Sequence, residues 1–261
     1  MQNPIITLTT DWRNNDFYLG ALRGRLLSLC PDALLAEISH MVEAFNIIQG
    51  SFILRNSFSH FPKGTIHIMA VNSEPAKGKK HLVGEYDGHF FIGADNGMYS
   101  LMFDDAMIKV HELSTTSGAQ NSFSALTILA EAAANLANGK HIEELGPVCN
   151  DFTRHVLFRP TVEERSISGS IIYIDSYKNA ITNISKDLFE RIRNGRKYDI
   201  FIQSNKYRVN NISEGYHDVP VGELLVLFNS IGLLEIAINN GNASELLNLH
   251  VNSALLIKFH E

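Results

Sequence analysis

The first half of the chain alternates between short apolar runs and longer amphipathic segments. Largely apolar runs occupy residues 4–10, 34–38 and 65–71, and the last of these is typical of a strand buried on both faces of a sheet. Between them, residues 17–29 and 45–58 repeat apolar side chains at helical spacing. This order of strand, helix, strand, helix and strand predicts a layered α/β domain with a mostly parallel sheet.

The α/β pattern continues with a hairpin, a strand and a helix. Residues 81–93 are rich in β-forming side chains on both sides of Asp87-Gly88, and an Asp-Gly pair in that setting is a strong hairpin signal. Residues 106–113 predict a further strand. The alanine-rich stretch 123–136 predicts a long helix.

The pattern changes after residue 150. Residues 151–166 are polar and irregular, and we interpret them as a connection between domains. Short β runs separated by turn residues then dominate, with helical segments at 186–193 and 243–249; this pattern is typical of a small barrel or sandwich. We therefore predict an N-terminal α/β domain at residues 1–155 and a C-terminal all-β, barrel-like domain at residues 165–261.

Composition restricts the class of protein. The 261 residues are 45% hydrophobic and 19% charged, which is ordinary for a globular protein, and the net charge of −6 argues against a general nucleic-acid partner. No apolar run approaches the length that crosses a bilayer, and no secretion signal is visible, so we expect a cytoplasmic protein without a membrane partner. Cys30 and Cys149 lack metal-ligand spacing and are expected to be free thiols.

Candidate chemistry begins where the run at residues 65–71 ends. The chain there becomes a polar loop that starts at Asn72 and carries Lys77, Lys79 and Lys80. Ligands of α/β proteins collect beyond the carboxyl ends of such strands. A solvated basic turn is the alternative interpretation.

Several motifs in a fixed order connect this loop with the rest of the chain. They are Thr10-Asp11, DFYLG at 16–20, LCPDA at 29–33, ISH at 38–40, FPKGTIH at 61–67, FIGADNG at 91–97, IDSYKNAITNI at 174–184 and NSIGLLEIAINNGNA at 229–243. With these motifs the chain resembles the S-adenosylmethionine (SAM) hydroxide adenosyltransferase family, which also contains the fluorinases and chlorinases. The similarity runs from about residue 5 to the C-terminus.

The resemblance implies both an assembly and a reaction. It implies a homotrimer whose SAM site lies between subunits, and a water, hydroxide or halide that attacks the ribose C5′ of SAM while methionine leaves. We expect SAM hydrolysis to adenosine and L-methionine, with SAM as substrate or ligand and no cofactor or metal. The sulfonium makes methionine a good leaving group, so the protein mainly has to position and partly desolvate the nucleophile.

The resemblance also assigns residues that bind the sugar. Asp11 matches the aspartate that holds the ribose hydroxyls, and an ionised carboxylate can accept from both hydroxyls of a cis-diol. A strand-end aspartate that caps a turn is the alternative. Phe45 matches the aromatic wall beside the sugar in the halogenases, or else it is a buried core residue.

The remaining binding residues lie in the C-terminal half. Asp175 and Asn179 match the pair that binds the amino acid end of SAM, since a carboxylate suits the ammonium and an amide suits the carboxylate. A polar hairpin turn is the alternative for this pair. Asn229 and Ser230 match the segment that faces the adenine.

The chain departs from the family at three catalytic positions. Hydroxide-forming members organise the attacking water with an Asp, an Arg and a His, and these positions are occupied here by Asn72, Lys79 and Ser124. An amide or a hydroxyl can hydrogen-bond a water but is a poor proton acceptor near neutral pH, and Lys lacks the planar donor pair of Arg. The halogenase motif is also absent, so halide chemistry is not transferred.

Two functions follow from these departures. One is a SAM hydrolase with a remodelled water site, in which Glu74 or His81 could replace the lost groups. The alternative is a non-catalytic SAM- or adenosine-binding protein that has lost the catalytic triad.

Overall fold

The structure is a computed structural model that describes residues 3–74, 77–78, 80–103, 108–114, 123–156, 158–203 and 206–261. The chain divides into two compact units, Met1–Val156 and Leu157–Glu261. None of the helices within the described ranges combines the length and the apolar character that a membrane crossing requires.

The first unit is built on a six-stranded mixed sheet with the order β2-β1-β3-β5-β4-β6. Its strands are β1 (Ile5–Thr10), β2 (Leu34–Ser39), β3 (Ile66–Ala70), β4 (His81–Tyr86), β5 (His89–Ala94) and β6 (Lys109–Glu112). Strands β2, β1, β3 and β5 are parallel, whereas β4 pairs antiparallel with both β5 and β6. The sheet is therefore mostly parallel, as the sequence predicted.

Helices cover both faces of this sheet. They are α1 (Phe17–Leu29), α2 (Ile47–Arg55), α3 (Met98–Met102) and α4 (Ala130–Ala137). Ile68 of β3 belongs to the core that includes α1 and α4, while its neighbour Met69 packs in the core that includes α2 and α3. Successive strand residues point to opposite faces of the sheet. Because both faces are covered by helices, every residue of β3 is buried.

Two helices of this unit begin differently from the prediction. The helix predicted at residues 45–58 begins at Ile47, because Phe45 has a positive φ of 67° that excludes it from a right-handed helix. The helix predicted at 123–136 opens with a π-helical segment, Ala125–Leu129, before α4. The strand predicted at 106–113 is β6, and residues 106 and 107 lie outside the described residues.

The second unit is an antiparallel, barrel-like sheet with the order β11-β10-β14-β8-β9-β13-β12, and β7 also pairs with β8. Its strands are β7 (Thr161–Glu163), β8 (Ser166–Ile174), β9 (Ala180–Ser185), β10 (Lys197–Ile202), β11 (Tyr207–Val209), β12 (Leu224–Phe228), β13 (Leu233–Ile238) and β14 (Ala254–His260). Beyond β11, Ser213 forms a bridge to Leu227 of β12, which brings the two ends of the sheet together.

Two short helices complete the second unit. Helix α5 (Lys186–Arg193) buries Phe189 in the core of the barrel, and α6 (Ala243–Leu246) is shorter than the predicted segment. Strand β7 falls in the stretch interpreted as irregular, so that interpretation was wrong for these residues. All three β7 residues are exposed, and an exposed three-residue strand leaves no alternating apolar pattern.

Candidate functional site

The carboxylate of Asp11 ties together three loops at the carboxyl edge of the parallel strands. Its Oδ2 accepts hydrogen bonds from the backbone N–H groups of Phe45, at 2.8 Å, and Asn72, at 3.1 Å. Asp11 follows β1, the Phe45 loop follows β2, and Asn72 follows β3. Parallel strands end at the same edge of a sheet, which explains why residues so distant in sequence meet there.

Both N–H donors come from unusual backbone conformations. Phe45 has a φ of 67° and Asn72 a φ of 46°, in the left-handed region that non-glycine residues seldom occupy. Such strain persists only where the surroundings enforce it, and the shared contact with Asp11 supplies part of that enforcement. Asp11 therefore caps these turns through Oδ2, as the alternative interpretation predicted, and its role in binding the ribose stays a prediction. Within the described residues, no hydrogen bond occupies Oδ1.

Phe45 itself is 73% exposed, so the alternative of a buried core residue is wrong. Its ring lies on the surface, and its backbone N–H contacts the Asp11 carboxylate. The role of an aromatic wall beside a sugar stays a prediction, and an exposed ring is compatible with it.

A side chain from the β5–α3 turn fixes the end of β3. The Nδ2 of Asn96 donates to the backbone carbonyls of Val71, at 2.9 Å, and Asn72, at 3.1 Å. The next residue, Gly97, has a φ of 98°, and a Cβ at this position would lie 1.9 Å from a ring atom of His155. The glycine of the motif is therefore required both by its backbone conformation and by a close contact.

Ser124 meets the loop that follows β3. Its backbone N–H donates to Oε1 of Glu74 at 2.7 Å, and its hydroxyl lies 2.9 Å from the same oxygen and 3.2 Å from the carbonyl of Ser73. Ser124 and Ser73 are buried, whereas Glu74 is exposed. Two of the three altered positions, Asn72 and Ser124, therefore lie in the same region, because Ser124 contacts Ser73 and Glu74, the two residues that follow Asn72.

His81 belongs to the same network. Burial lowers the pKa of His81, and the negative charge of Glu74 together with a contact to the backbone of Ser73 partly opposes that effect. The ring is buried, and no described residue hydrogen-bonds to its Nε2. The sequence named Glu74 and His81 as possible replacements without indicating their direction, and the structure brings both to Ser124 and its neighbours.

The three lysines of this stretch differ in what the structure describes. Lys79 lies outside the described residues. Lys80 is paired with Glu112 of β6 at 2.5 Å, so this lysine has a partner on the neighbouring strand. Lys77 is exposed.

An aromatic cluster holds Ser124 close to the Asp11 edge. The ring of Phe123 packs against Trp12, with ring centroids 5.2 Å apart, and against Tyr18, at 4.9 Å. Phe123 precedes Ser124, and Trp12 follows Asp11. These contacts join the start of the π-helical segment to the start of α1 and place the Glu74 and Ser124 pair on the same side of the unit as Asp11.

The second unit contains an open pocket of about 500 Å³, lined by polar and apolar side chains. Asp175, Asn229 and Ser230 line it, together with Tyr216 and Glu235. The structure thus brings together three of the four residues predicted in this half. A lining with several carboxylates suits a ligand that carries positive charge.

Asn179 lies beside this lining and holds Asp175 in place. It is buried, its backbone N–H donates to Oδ1 of Asp175 at 2.8 Å, and its side-chain amide lies 3.4 Å from Oδ2. The pair closes the β8–β9 hairpin, so the turn alternative describes the geometry of Asn179. A role for both residues in binding an amino acid stays a prediction.

A buried carboxylate organises the floor of the cavity. Glu235 is 3% exposed and accepts a hydrogen bond from the hydroxyl of Tyr216, at 2.6 Å, and from the amide of Asn229, at 3.1 Å. Burial and the contact with Glu235 raise the pKa of Tyr216. Sequence reasoning assigned no role to Tyr216 or Glu235; the signal was an acidic residue inside the apolar run LLEIAI, which needs a partner when buried.

No group of three or more His, Cys, Asp or Glu side chains within the described ranges is arranged to hold a metal ion. The polar groups of the first unit are a carboxylate with an available oxygen and a second carboxylate at a helix start. Those of the second unit line the pocket described above. The fold and these groups define a protein with an α/β unit and a β-barrel-like unit, each with a cluster of polar side chains.

Comparison with known proteins identifies the family. The model for the SAM hydroxide adenosyltransferase N-terminal domain matches residues 6–146, and the model for the corresponding C-terminal domain matches residues 169–255. The chain belongs to the SAM hydroxide adenosyltransferase family.

Related proteins extend over nearly the whole chain. A protein of Methanocaldococcus jannaschii named (R)-S-adenosyl-L-methionine hydrolase is 29% identical, with 94% of this chain and 92% of that protein covered. A fluorinase of Actinopolyspora mzabensis is 25% identical over 90% of this chain and 91% of its own. The crystal structure of an uncharacterized conserved protein from Thermotoga maritima has a TM-score of 0.87 and 26% identity, and it covers 97% of this chain and 99% of its own.

Proposed function

We propose that this protein is a SAM hydrolase that forms adenosine and L-methionine. The observation that carries the proposal is the Asp11 carboxylate, which two backbone N–H groups orient through Oδ2 while Oδ1 is available to a ligand. An oriented carboxylate with one available oxygen suits the hydroxyls of a ribose. Four similar proteins that bear the name (R)-S-adenosyl-L-methionine hydrolase support the choice of reaction.

The proposed reaction is a single in-line displacement. The oxygen of a water molecule forms a bond to C5′ of the ribose, the bond between C5′ and sulfur breaks, and its electron pair stays on the sulfur of methionine. The proton of the water passes to a base. Because the leaving group is already activated, orientation of the two reactants supplies most of the catalysis.

The binding roles divide between the two units. Asp11 holds the ribose, and Phe45 lies beside it. Asp175, oriented by Asn179, receives the ammonium group of the methionine end. Asn229 and Ser230 face the adenine from the wall of the cavity.

The assembly and the setting are part of the same proposal. The site lies between subunits of a homotrimer, the reaction uses SAM and water without a cofactor, and the protein works in the cytoplasm. Lys79 supplies positive charge near the attacking water. The family resemblance of the motifs supports the homotrimer, the reaction and the role of Lys79.

The test is incubation of the purified protein with SAM, with products separated by chromatography. We expect adenosine and methionine in equal amounts, at a rate that falls when Asp11 is changed to Asn. The matched control is Asp32→Asn, since Asp32 is an exposed aspartate that precedes β2 at the opposite edge of the sheet. Binding of SAM without products over hours would contradict the hydrolase and support the non-catalytic alternative.

A further inference from the structure

The loop after β3 carries a carboxylate, Glu74, close to the two altered positions Asn72 and Ser124, which supply no proton acceptor of their own. Asn72 and Ser124 occupy positions at which the resemblance implies an acid and a histidine, and neither side chain takes up a proton readily near neutral pH. Glu74 lies two residues after Asn72, and its Oε1 is fixed by the backbone and the hydroxyl of Ser124 at 2.7 and 2.9 Å. Its Oε2 has no hydrogen bond to any described residue, so this oxygen remains available.

Both sides of this contact are connected to the sugar-binding edge. On one side, the backbone N–H of Asn72 donates to Asp11. On the other side, Phe123 packs on Trp12, the residue after Asp11. The Glu74 carboxylate is therefore held by two chain segments that both contact the loop around Asp11.

A second observation points to a polar ligand or water at this place. The ring of His81 is 7% exposed, and its Nε2 is a buried polar atom without a hydrogen-bond partner in the described chain. A buried nitrogen without a hydrogen-bond partner is unfavourable, because it has lost its contact with water. His81 contacts the backbone of Ser73, whose carbonyl also lies 3.2 Å from the hydroxyl of Ser124, so the unsatisfied nitrogen belongs to a ring beside the Glu74 and Ser124 contact. A water molecule bound there would satisfy it.

We propose that Glu74, held by Ser124, accepts the proton of the water that attacks SAM; this inference rests on the hydrolase function proposed above. The water oxygen bonds to C5′, the C5′–sulfur pair leaves with methionine, and the water proton moves to Oε2 of Glu74. Glu74 is exposed, so it returns the proton to solvent after each turnover. Ser124 is a positioning residue in this scheme, because it acts through Glu74.

The simpler role for Glu74 is to cap the helix that starts at Ser124, and one substitution separates the two roles. Glu74→Gln keeps an oxygen that accepts from Ser124 but cannot take a proton. The matched control is Glu131→Gln. Glu131 lies in the first turn of α4, after the π-helical segment that follows Ser124, and its carboxylate pairs with Arg25 of α1. The measured quantities are the single-turnover rate of SAM cleavage, the Kd for SAM and the melting temperature.

We expect Glu74→Gln to lower the single-turnover rate by about 10²–10⁴-fold, as is typical for loss of a positioned base, with little change in Kd or melting temperature. Glu131→Gln should cleave SAM at the wild-type rate. A Glu74→Ala variant should regain part of its rate when formate is added, since formate is a small carboxylate that can enter the space left by the side chain.

The outcomes distinguish the inference from the function it rests on. If wild-type protein cleaves SAM and Glu74→Gln keeps more than about a third of that rate, a loss far below that of a positioned base, the inference is wrong and the hydrolase function stands. If Glu74→Gln and Glu74→Ala lose melting temperature and rate together, without rescue by formate, Glu74 is only a cap. If wild-type protein forms no adenosine, both the function and the inference are overturned.

Discussion

The substitution Asp11→Asn tests the site most sharply, because the structure predicts how the new amide must lie. Two backbone N–H groups point at Oδ2, at 2.8 and 3.1 Å. The amide oxygen will take this position, since an NH₂ group there would face two donors. The NH₂ group must then occupy the position of Oδ1, where the ribose hydroxyls require an acceptor.

The magnitude follows from the lost hydrogen bond. A hydrogen bond to a charged group contributes about 1.5–3 kcal/mol, and this corresponds to about a 10- to 150-fold increase in Kd. The contacts with Phe45 and Asn72 survive in the variant, so the melting temperature should change little. Asp11→Ala, in contrast, removes both contacts and should lower the stability as well as the affinity.

The assay compares two nucleosides by calorimetry, which avoids turnover during the measurement. Wild-type protein should bind adenosine more tightly than 2′-deoxyadenosine. In Asp11→Asn this preference should largely disappear, whereas Asp32→Asn should keep it. If the ratio of the two Kd values is the same in wild-type protein and Asp11→Asn, Asp11 does not bind the ribose 2′-hydroxyl, and the assigned role is refuted.

Two further predictions concern buried polar groups. Burial and the neighbouring His89 lower the pKa of His67 to about 3. Because the imidazole in the unfolded chain takes up its proton near pH 6.5, the free energy of unfolding should fall as the pH drops below that value, by up to about 1.4 kcal/mol per pH unit. Urea titrations at several pH values should show that the free energy of unfolding depends less steeply on pH in His67→Gln than in wild-type protein. An equal dependence in both proteins would show that His67 does not cause it. Tyr216→Phe removes a hydrogen-bond donor to the buried carboxylate of Glu235. The variant should have a free energy of unfolding that is lower by about 1–3 kcal/mol, and it should bind SAM more weakly. An unchanged urea midpoint and an unchanged Kd would show that this hydrogen bond has no role.

Local patterns were sufficient for most of the strands and most of the helices. Strand β3 is buried on both faces, and its nearly continuous run of apolar side chains is visible in the sequence. Strand β7 could not be predicted, because three exposed residues carry no periodicity and are fixed only by pairing with β8. The left-handed conformation of Phe45 was equally invisible, since it depends on a contact with Asp11, 34 positions earlier.

The same distinction applies to the site. Asp11, Asp175, Asn229 and Ser230 were found from short motifs, and the structure places Asp11 at the strand edge and the other three in one cavity. The contact between Glu74 and Ser124 joins residues 50 positions apart, and no local pattern indicates such a pair. The direction of a loop side chain depends on which distant segment packs against it. The residues next to it in the sequence do not reveal that segment.

In the proposed reaction, water attacks C5′ of SAM. This step is tested most directly by a reaction in water enriched in ¹⁸O, followed by mass spectrometry of the nucleoside product. Attack by water should give adenosine that carries the heavy oxygen at its 5′ position, together with unlabelled methionine. Adenosine without the label, or SAM that is bound but left intact, would contradict it.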